Sequence, residues 1–326
     1  DLQYGDCGKG KVTHHLLKDG DYTHVLRYNG GCNAGHTIFH EGKKFVTHHI
    51  PAGVFFGVRS IIGNGCVINP SQFFKEIKEL EDGGIDTKGL IFVAQNTHVI
   101  TEGHLEEDGN DTVIGTTKRG NGPAYRDKYS RDGYLAKDVP SLQPYLVDLY
   151  QEFHINNPNA VILCEGAQGF GLDIDWGDYP FVTSSHCTSA GALLNGIPPT
   201  AIRKVWGVAK AYETYVGSKK FEGDDPMFSK IRELGDEYGA TTGRPRQVNW
   251  MSWELLEKAM KINGVTDLVI NKMDVLDRIN VWQVISNNEL LNISSRKNFE
   301  SILIQKIKNQ ISDQIEVHFS DSPSGI

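Results

Sequence analysis

The first eleven residues already form a chemical pattern. Gly5-Asp6-Cys7-Gly8-Lys9-Gly10-Lys11 has the G-x-x-x-x-G-K spacing of a phosphate loop, in which successive backbone N–H groups and a lysine surround phosphate oxygens. The next position breaks the pattern: Val12 stands where such a loop places the Ser or Thr hydroxyl that ligates Mg²⁺. A metal here needs another oxygen donor, and Asp6 offers one. A surface turn that is merely glycine-rich is the plain alternative. Asn271-Lys272-Met273-Asp274, just after the apolar run 268–270, fits the N-K-x-D pattern for guanine, in which the aspartate accepts from the base and the lysine stem lies on the ring. A polar strand end would look the same, so its weight comes from the phosphate loop that accompanies it.

Two more stretches suit phosphates. Gly30-Gly31-Cys32-Asn33-Ala34-Gly35-His36-Thr37 brings backbone close to a ligand and presents one histidine; among twelve histidines, a structural role is the competing reading. Gly115-Thr116-Thr117-Lys118-Arg119-Gly120-Asn121-Gly122-Pro123, with Arg131, joins hydroxyls, basic charge and glycine, a chemistry fit for a monophosphate or simply a solvated loop.

These loops need rigid elements to hold them. Ile91-Phe92-Val93-Ala94, Ala160-Val161-Ile162-Leu163-Cys164 and Leu268-Val269-Ile270 read as strands covered on both faces. Helical spacing links Phe73, Phe74, Ile77 and Leu80; Leu146, Leu149, Tyr150 and Phe153; Leu255, Leu256, Ala259 and Met260; and Phe299, Ile302, Leu303 and Ile307, the last set followed by a strand at 315–319. The alternation predicts an α/β fold with a predominantly parallel central sheet flanked by helices, P-loop-NTPase-like, with long functional loops. Residues 1–326 read as a single domain with loop subdomains at about 106–135 and 215–250.

Composition sets the outer limits. A net charge of -8 and a pI near 5.8 argue against a surface for the nucleic-acid backbone. Five cysteines without C-x-x-C or zinc spacing suit a reduced, cytoplasmic setting. No apolar run is long enough for a membrane span, and no leader is visible. The chain opens almost on the glycine motif, so a few residues are expected ahead of Asp1.

Taken in order from the first residues to about Asp277, these stretches resemble the adenylosuccinate synthetase family. Its phosphate loop reads G-D-E-G-K-G-K, its histidine loop G-G-H-N-A-G-H-T and its monophosphate loop G-T-T-G-R-G-x-G-P-A-Y-x-D-K. Glu165-Gly166-Ala167-Gln168-Gly169, Leu172-Asp173-Ile174-Asp175, Tyr179 to Ser185 and Gly239-Ala240-Thr241-Thr242-Gly243-Arg244 match as well.

The resemblance implies a ligase that joins L-aspartate to C6 of a purine nucleoside monophosphate through a 6-phosphoryl intermediate. Asp6 takes the N1 proton, Lys9 and His36 stabilise the phosphoryl group, and Gln168 holds the base. Asn33, Thr117, Thr183, Arg244 and, from a partner subunit, Arg131 bind the monophosphate, which implies a homodimer. Thr241, Thr242, Arg244 and Arg246 bind aspartate, as guanidinium forks suit two carboxylates. Gly8, Lys9, Gly10, Lys11, Gly35, Thr37, Arg246, Lys272, Asp274, Ser320 and Ser322 contact the triphosphate donor, and Asp6 with the Gly35 carbonyl ligates Mg²⁺.

Cys7, Cys32, Lys118, Pro245 and Ser322 depart from the family pattern, and the length matches compact archaeal and phage members. The departures point to a phage branch that converts dGMP to 2-amino-2'-deoxyadenylosuccinate in the host cytoplasm, with ATP slightly preferred over GTP as donor. The alternative is the ordinary enzyme using IMP and GTP. A switch GTPase or nucleotide sensor is a distant third, since it explains neither the monophosphate loop nor the basic aspartate loop.

Overall fold

The computed structural model describes every residue except 34, 112–114, 240–242 and 323–324. Its sheet layer has two parallel blocks. One runs in the order Leu146–Val147, Ile91–Ala94, Arg59–Ile62, His24–Arg27 and Ile162–Glu165. The other runs Trp206–Lys210, Asp267–Asn271 and Glu316–Phe319. Residues 1–3 stand between them: the Leu2 N–H donates to the Val208 carbonyl at 2.9 Å, and the carbonyls of Asp1 and Gln3 accept from Phe170 and Gly171 at 3.0 and 2.9 Å. A mixed four-stranded sheet, ordered Tyr212–Tyr215, Gln247–Ser252, Trp282–Ser286 and Glu289–Ile293, lies beside the second block. This is the expected α/β architecture with a mostly parallel central sheet.

The apolar runs explain the layering. Val25, Ile62, Val93 and Phe73 belong to one buried cluster, while Leu268, Ile270, Trp253 and Leu256 belong to another around the second block. Each such side chain stabilises the fold by roughly 1.5–3 kcal/mol on burial. The helix Pro70–Asp82 shows how local sequence sets an element. Pro70 pre-sets the first turn, the Asn69 side chain accepts from the Gln72 N–H at 3.0 Å, and Phe73, Ile77 and Leu80 form the buried face.

The helices expected near Leu255 and Phe299 form as Trp253–Asn263 and Arg296–Gln310, and the expected strands form as Ile91–Ala94, Ile162–Glu165, Asp267–Asn271 and Glu316–Phe319. The helix expected around Leu146 to Phe153 forms in part: Leu146 and Val147 form an edge strand paired with Val93 and Ala94, and residues 149–156, which carry Leu149, Tyr150 and Phe153, are helical, of π type over Gln151–Asn156. Asp148 caps that helix by accepting from the backbone N–H groups of Tyr150 and Gln151. Pairing on the sheet edge takes Leu146 out of the helix, and Pro158 limits its other end. The two long loop regions are themselves built of ordered pieces, with helices Asn121–Ser130 and Met227–Leu234 inside them. Among the described residues no helix is long and apolar enough to cross a membrane.

The parallel strands place their chemistry at one end. Arg27, Glu165, Lys210 and Asn271 are the last residues of four of them, and the ligand crevice of an open α/β sheet lies beyond such carboxyl ends.

Candidate active site

The phosphate loop leads straight into the helix Lys9–Asp19. Gly5, Asp6 and Gly8 all take left-handed backbone, with φ of 90°, 56° and 98°, a conformation that gathers backbone N–H groups into an anion-binding concavity. Glycine is required at position 8 for a second reason: a Cβ there would sit 2.7 Å from the Asn271 amide nitrogen. That amide donates to the Cys7 carbonyl at 2.7 Å. The asparagine of the N-K-x-D stretch is therefore the strut of the phosphate loop.

Lysines line this loop in different states. Lys9 donates to the Gln168 carbonyl at 2.7 Å and to Asp1 at 2.5 Å, and burial pushes its ammonium below the usual range. Lys11 reaches the C-terminal segment, donating to the Ser320 hydroxyl at 2.7 Å and the Ser322 carbonyl at 3.0 Å. Burial, then repulsion from Lys272, pushes it down to about 8. Lys272, left-handed at φ 65°, donates to the Gly235 carbonyl at 2.7 Å, and Asp274 sits in the first turn of the helix Met273–Ile279. Tertiary structure thus gathers Lys11, Lys272, Asp274, Ser320 and Ser322, which the sequence scatters.

The histidine loop closes over the same place. Gly10 packs so tightly on the Thr37 carbonyl that a Cβ would come within 2.8 Å of it. His36, nearly buried, meets Glu165 through Nδ1 at 2.5 Å, while its Nε2 is buried with no partner among the described residues. Burial, then the Arg27 charge, pushes the ring down to about 4, so it is neutral at pH 7. Burial alone would raise the Glu165 carboxyl; His36, Arg27 and the Ala52 N–H reverse that and hold it at about 2.

Gln168, itself left-handed at φ 57°, donates its amide to Asn33 Oδ1 at 3.0 Å and keeps a buried Oε1 with no partner among the described residues. Asn29 fixes this pair by exchanging hydrogen bonds with the backbone of Ala167. The Tyr125 hydroxyl accepts from Gly30 N–H at 3.0 Å and donates to the Gly65 carbonyl at 2.8 Å, which pins the monophosphate-loop helix to the histidine loop. Cys32 adds a contact to the Arg119 carbonyl, and a Cβ on Gly122 would meet the Ser184 hydroxyl, next to Thr183.

Not every expected residue joins this assembly. Thr117 and Arg131 are exposed, Arg131 at φ 69° capping the helix Asn121–Ser130. Arg244 is exposed and donates to the Gly217 carbonyl at 3.4 Å. Thr241 and Thr242 lie outside the described residues. Arg246 spans two carboxylates, with Nε 3.0 Å from Asp6 and Nη1 2.6 Å from Glu237. One of the departures from the family pattern turns away from the site. Cys7 turns its thiol inward to Gln3 and the Gly5 carbonyl and packs with Val12, Val208 and Val269, so it does not face a ligand beside Asp6.

The donor set fits Mg²⁺. Val12 is buried in that apolar cluster and offers no oxygen, whereas the Asp6 side chain is 46% exposed and turned out of the loop. A carboxylate is a hard oxygen donor of the kind Mg²⁺ takes alongside phosphate oxygens and water.

The family model for adenylosuccinate synthetase matches residues 1–143 and 134–309. The chain belongs to the adenylosuccinate synthetase family. The adenylosuccinate synthetase of Chlorobaculum parvum is 39% identical over 84% of this chain and 75% of its own length, and that of a Geobacillus species 38% identical over 86% and 78%. Fully ligated adenylosuccinate synthetase from Plasmodium falciparum superposes with a TM-score of 0.84 at 26% identity, covering 99% of this chain and 96% of that one. A cyanophage S-2L succinoaminodeoxyadenylate synthetase, bound to dGMP and dATP as an energy donor, superposes with a TM-score of 0.75 at 24% identity, covering 99% and 91%, and shares the fold. This adenylosuccinate synthetase relative is accordingly a carbon–nitrogen ligase, of a family that binds a purine monophosphate, aspartate, Mg²⁺ and a nucleoside triphosphate.

Sequence reasoning assigned no role to Arg27, Glu165, Lys210 or Glu237. Lys210 and Glu237 are both buried and paired at 3.0 Å, behind Arg246. A signal was available: a charged residue closing an apolar strand run, as at Arg27, Glu165 and Lys210, is expensive to bury without purpose.

Proposed function

We propose that a single domain of residues 1–326 transfers the γ-phosphoryl group of a triphosphate to O6 of a purine nucleoside monophosphate and then exchanges it for the aspartate amine. One observation carries this reading: two separate phosphate-type loops, 5–11 and 115–123, both pack on the single histidine loop, through Gly10 on Thr37 and through Arg119 on Cys32. A switch GTPase needs one such loop. An enzyme that passes phosphate between two nucleotides needs both.

Asp6 accepts the purine N1 proton, which pushes charge onto O6 for attack at the γ-phosphorus. Lys9 and His36 Nε2 meet the transferring group, whose chemistry needs positioning and charge more than covalent help. Mg²⁺, when held by Asp6 and the Gly35 carbonyl, neutralises charge on the phosphates. Gln168 and Asn33 orient the base, with Thr117, Thr183, Arg244 and Arg131 of a second copy at the 5'-phosphate of a homodimer. Thr241, Thr242, Arg244 and Arg246 hold aspartate, whose amine attacks C6 and expels phosphate. The products are the succinylpurine nucleotide, a nucleoside diphosphate and phosphate.

GTP is the donor that Lys272 and Asp274 suit, with ATP the other arm of the test. IMP is the favoured monophosphate, because the relatives at 38–39% identity carry the ordinary family name and Cys7 points away from the base. The dGMP reading has one feature in its favour: Asn121 buries an amide nitrogen, without a partner among the described residues, against Gly31 at the start of the monophosphate-loop helix, a polar group able to meet the sugar or the purine edge.

The test is a matrix of IMP, dIMP, GMP and dGMP against GTP and ATP, with and without aspartate, followed for a succinylpurine product. Aspartate-dependent product supports the reaction, and the kcat/KM ranking assigns the nucleotides. Slow GTP hydrolysis that ignores both aspartate and monophosphate would instead favour the switch.

A further inference from the structure

We propose that Glu165 is the positioning residue of His36, committing Nδ1 to a buried carboxylate so that the ring offers only Nε2 to the triphosphate. The inference rests on the reading of His36 as a group that meets the transferring phosphate.

Both oxygens of Glu165 are assigned. Oε1 lies 2.5 Å from His36 Nδ1, and Oε2 accepts the Ala52 N–H at 3.0 Å, at the start of the turn Ala52–Phe56. The carboxylate therefore cannot rotate away from the ring without giving up a backbone hydrogen bond. Its own backbone is equally fixed, because Glu165 ends a strand and pairs in register with Arg27 on the neighbouring strand.

Arg27 supplies charge. Its guanidinium is 1% exposed and lies 3.9 Å from the same Oε1, and none of its nitrogens has a hydrogen-bond partner among the described residues. At that separation it keeps Glu165 ionised without taking the oxygen that faces His36. An ionised carboxylate is an acceptor only, so Nδ1 must carry the hydrogen.

A purely structural role explains these contacts poorly. A buried ring nitrogen left without a partner costs about 1–3 kcal/mol, and burying Arg27 and Glu165 near it adds a desolvation cost that apolar side chains would avoid. The arrangement makes sense if a ligand completes Nε2. The strand His36–His40 that carries the ring is locked to the phosphate-loop helix by the Gly10 contact with Thr37, which places that ligand among the phosphates. Imidazole free of such a partner divides between tautomers, and which nitrogen is protonated follows from the hydrogen bond the other makes.

The experiment compares the full-length wild type with Glu165→Gln, Glu165→Asp and His36→Asn. Long-range ¹H–¹⁵N correlations of the ligand-free protein read the His36 tautomer, and steady-state kinetics read kcat and KM separately. In Glu165→Gln the neutral amide can offer either its oxygen or its NH₂ to Nδ1, so the single Nδ1–H signature is expected to be lost. With it, kcat should fall by roughly 10²- to 10⁴-fold, the range for loss of a correctly held general acid or base, while KM for the nucleotides stays within a few-fold. Glu165→Asp keeps the charge beside Arg27, and hence the fold, but withdraws the oxygen by one methylene; an intermediate loss of kcat is expected. Unchanged His36 signals and kcat in a folded Glu165→Asp or Glu165→Gln protein, alongside an inactive His36→Asn, overturn the inference and leave the proposed function standing. Full activity of His36→Asn overturns the inference together with the role given to His36, whereas a wild type that makes no aspartate-dependent product overturns the proposed function itself.

Discussion

Arg246 Nε lies 3.0 Å from the carboxylate of Asp6, although the same guanidinium also grips Glu237 at 2.6 Å. Behind Glu237 stand Lys210 at 3.0 Å and the Tyr212 hydroxyl at 2.7 Å. The candidate base is thus the outermost member of a charged chain that begins in the core. Burial alone would raise the Glu237 carboxyl, but Lys210 and Arg246 hold it at about 2, so it remains an anion that anchors Arg246 beside Asp6.

Asp6→Asn should leave nucleotide binding largely intact and abolish ligation. The amide is nearly isosteric and still fits the left-handed position, yet it cannot accept the N1 proton and is a poorer metal ligand. Equilibrium binding of a labelled triphosphate, set beside aspartate-dependent turnover, separates the two effects. Near-normal turnover would remove Asp6 from its role.

Mixing inactive Asp6→Asn and Arg131→Leu proteins should restore part of the activity. Exposed Arg131 caps its own helix and is free to enter a partner's site. Random pairing of equal amounts leaves about a quarter of all sites with both native residues. The check is activity recovered after demonstrated subunit exchange; exchange without recovery counts against a shared site.

Gly8→Ala should damage the phosphate loop twice over. A Cβ at φ 98° is strained, and it would sit 2.7 Å from the Asn271 amide. Strain and the displaced Asn271 to Cys7 hydrogen bond together should cost about 1–3 kcal/mol. Triphosphate affinity should drop with the melting temperature, and Asn271→Ala should reproduce the affinity loss without the strain.

Stability should decline with acid in two stages. Burial pushes His49 down to about 4, despite the neighbouring Glu76 charge. Glu76 would be raised by burial, but hydrogen bonds from His48 and the His49 N–H bring it to about 2. Both folded-state values lie below their unfolded ones, so both contributions are complete above the unfolded pKa and are lost as pH falls toward the folded one. The first loss runs from about pH 6.5 to 4 and the second from about 4.5 to 2. Integrated over its window, Glu76 contributes on the order of 3 kcal/mol. Thermal melts across pH should show Glu76→Gln destabilised most above pH 5 and converging on the wild type near pH 2.

The linear chain determined the parts that depend on near neighbours. Phosphate-loop spacing, buried parallel strands and the Pro70 helix start all follow from residues within a few positions of one another, where backbone preference and hydrophobic period act directly. The Leu146–Phe153 stretch shows the limit: its helical period holds from Leu149 onward, but Leu146 joins the sheet edge beside Val93 and Ala94 by a backbone pairing that no local pattern records. Distance along the chain decided the rest. Asn271 supports Cys7 and Glu165 holds His36 because Asn271 and Glu165 end parallel strands that meet those loops only after crossovers of many residues, and burial then shifts the charges that meet there. Sequence identified His36 as a group with chemistry to perform; only the folded protein determines which of its two nitrogens is left to perform it.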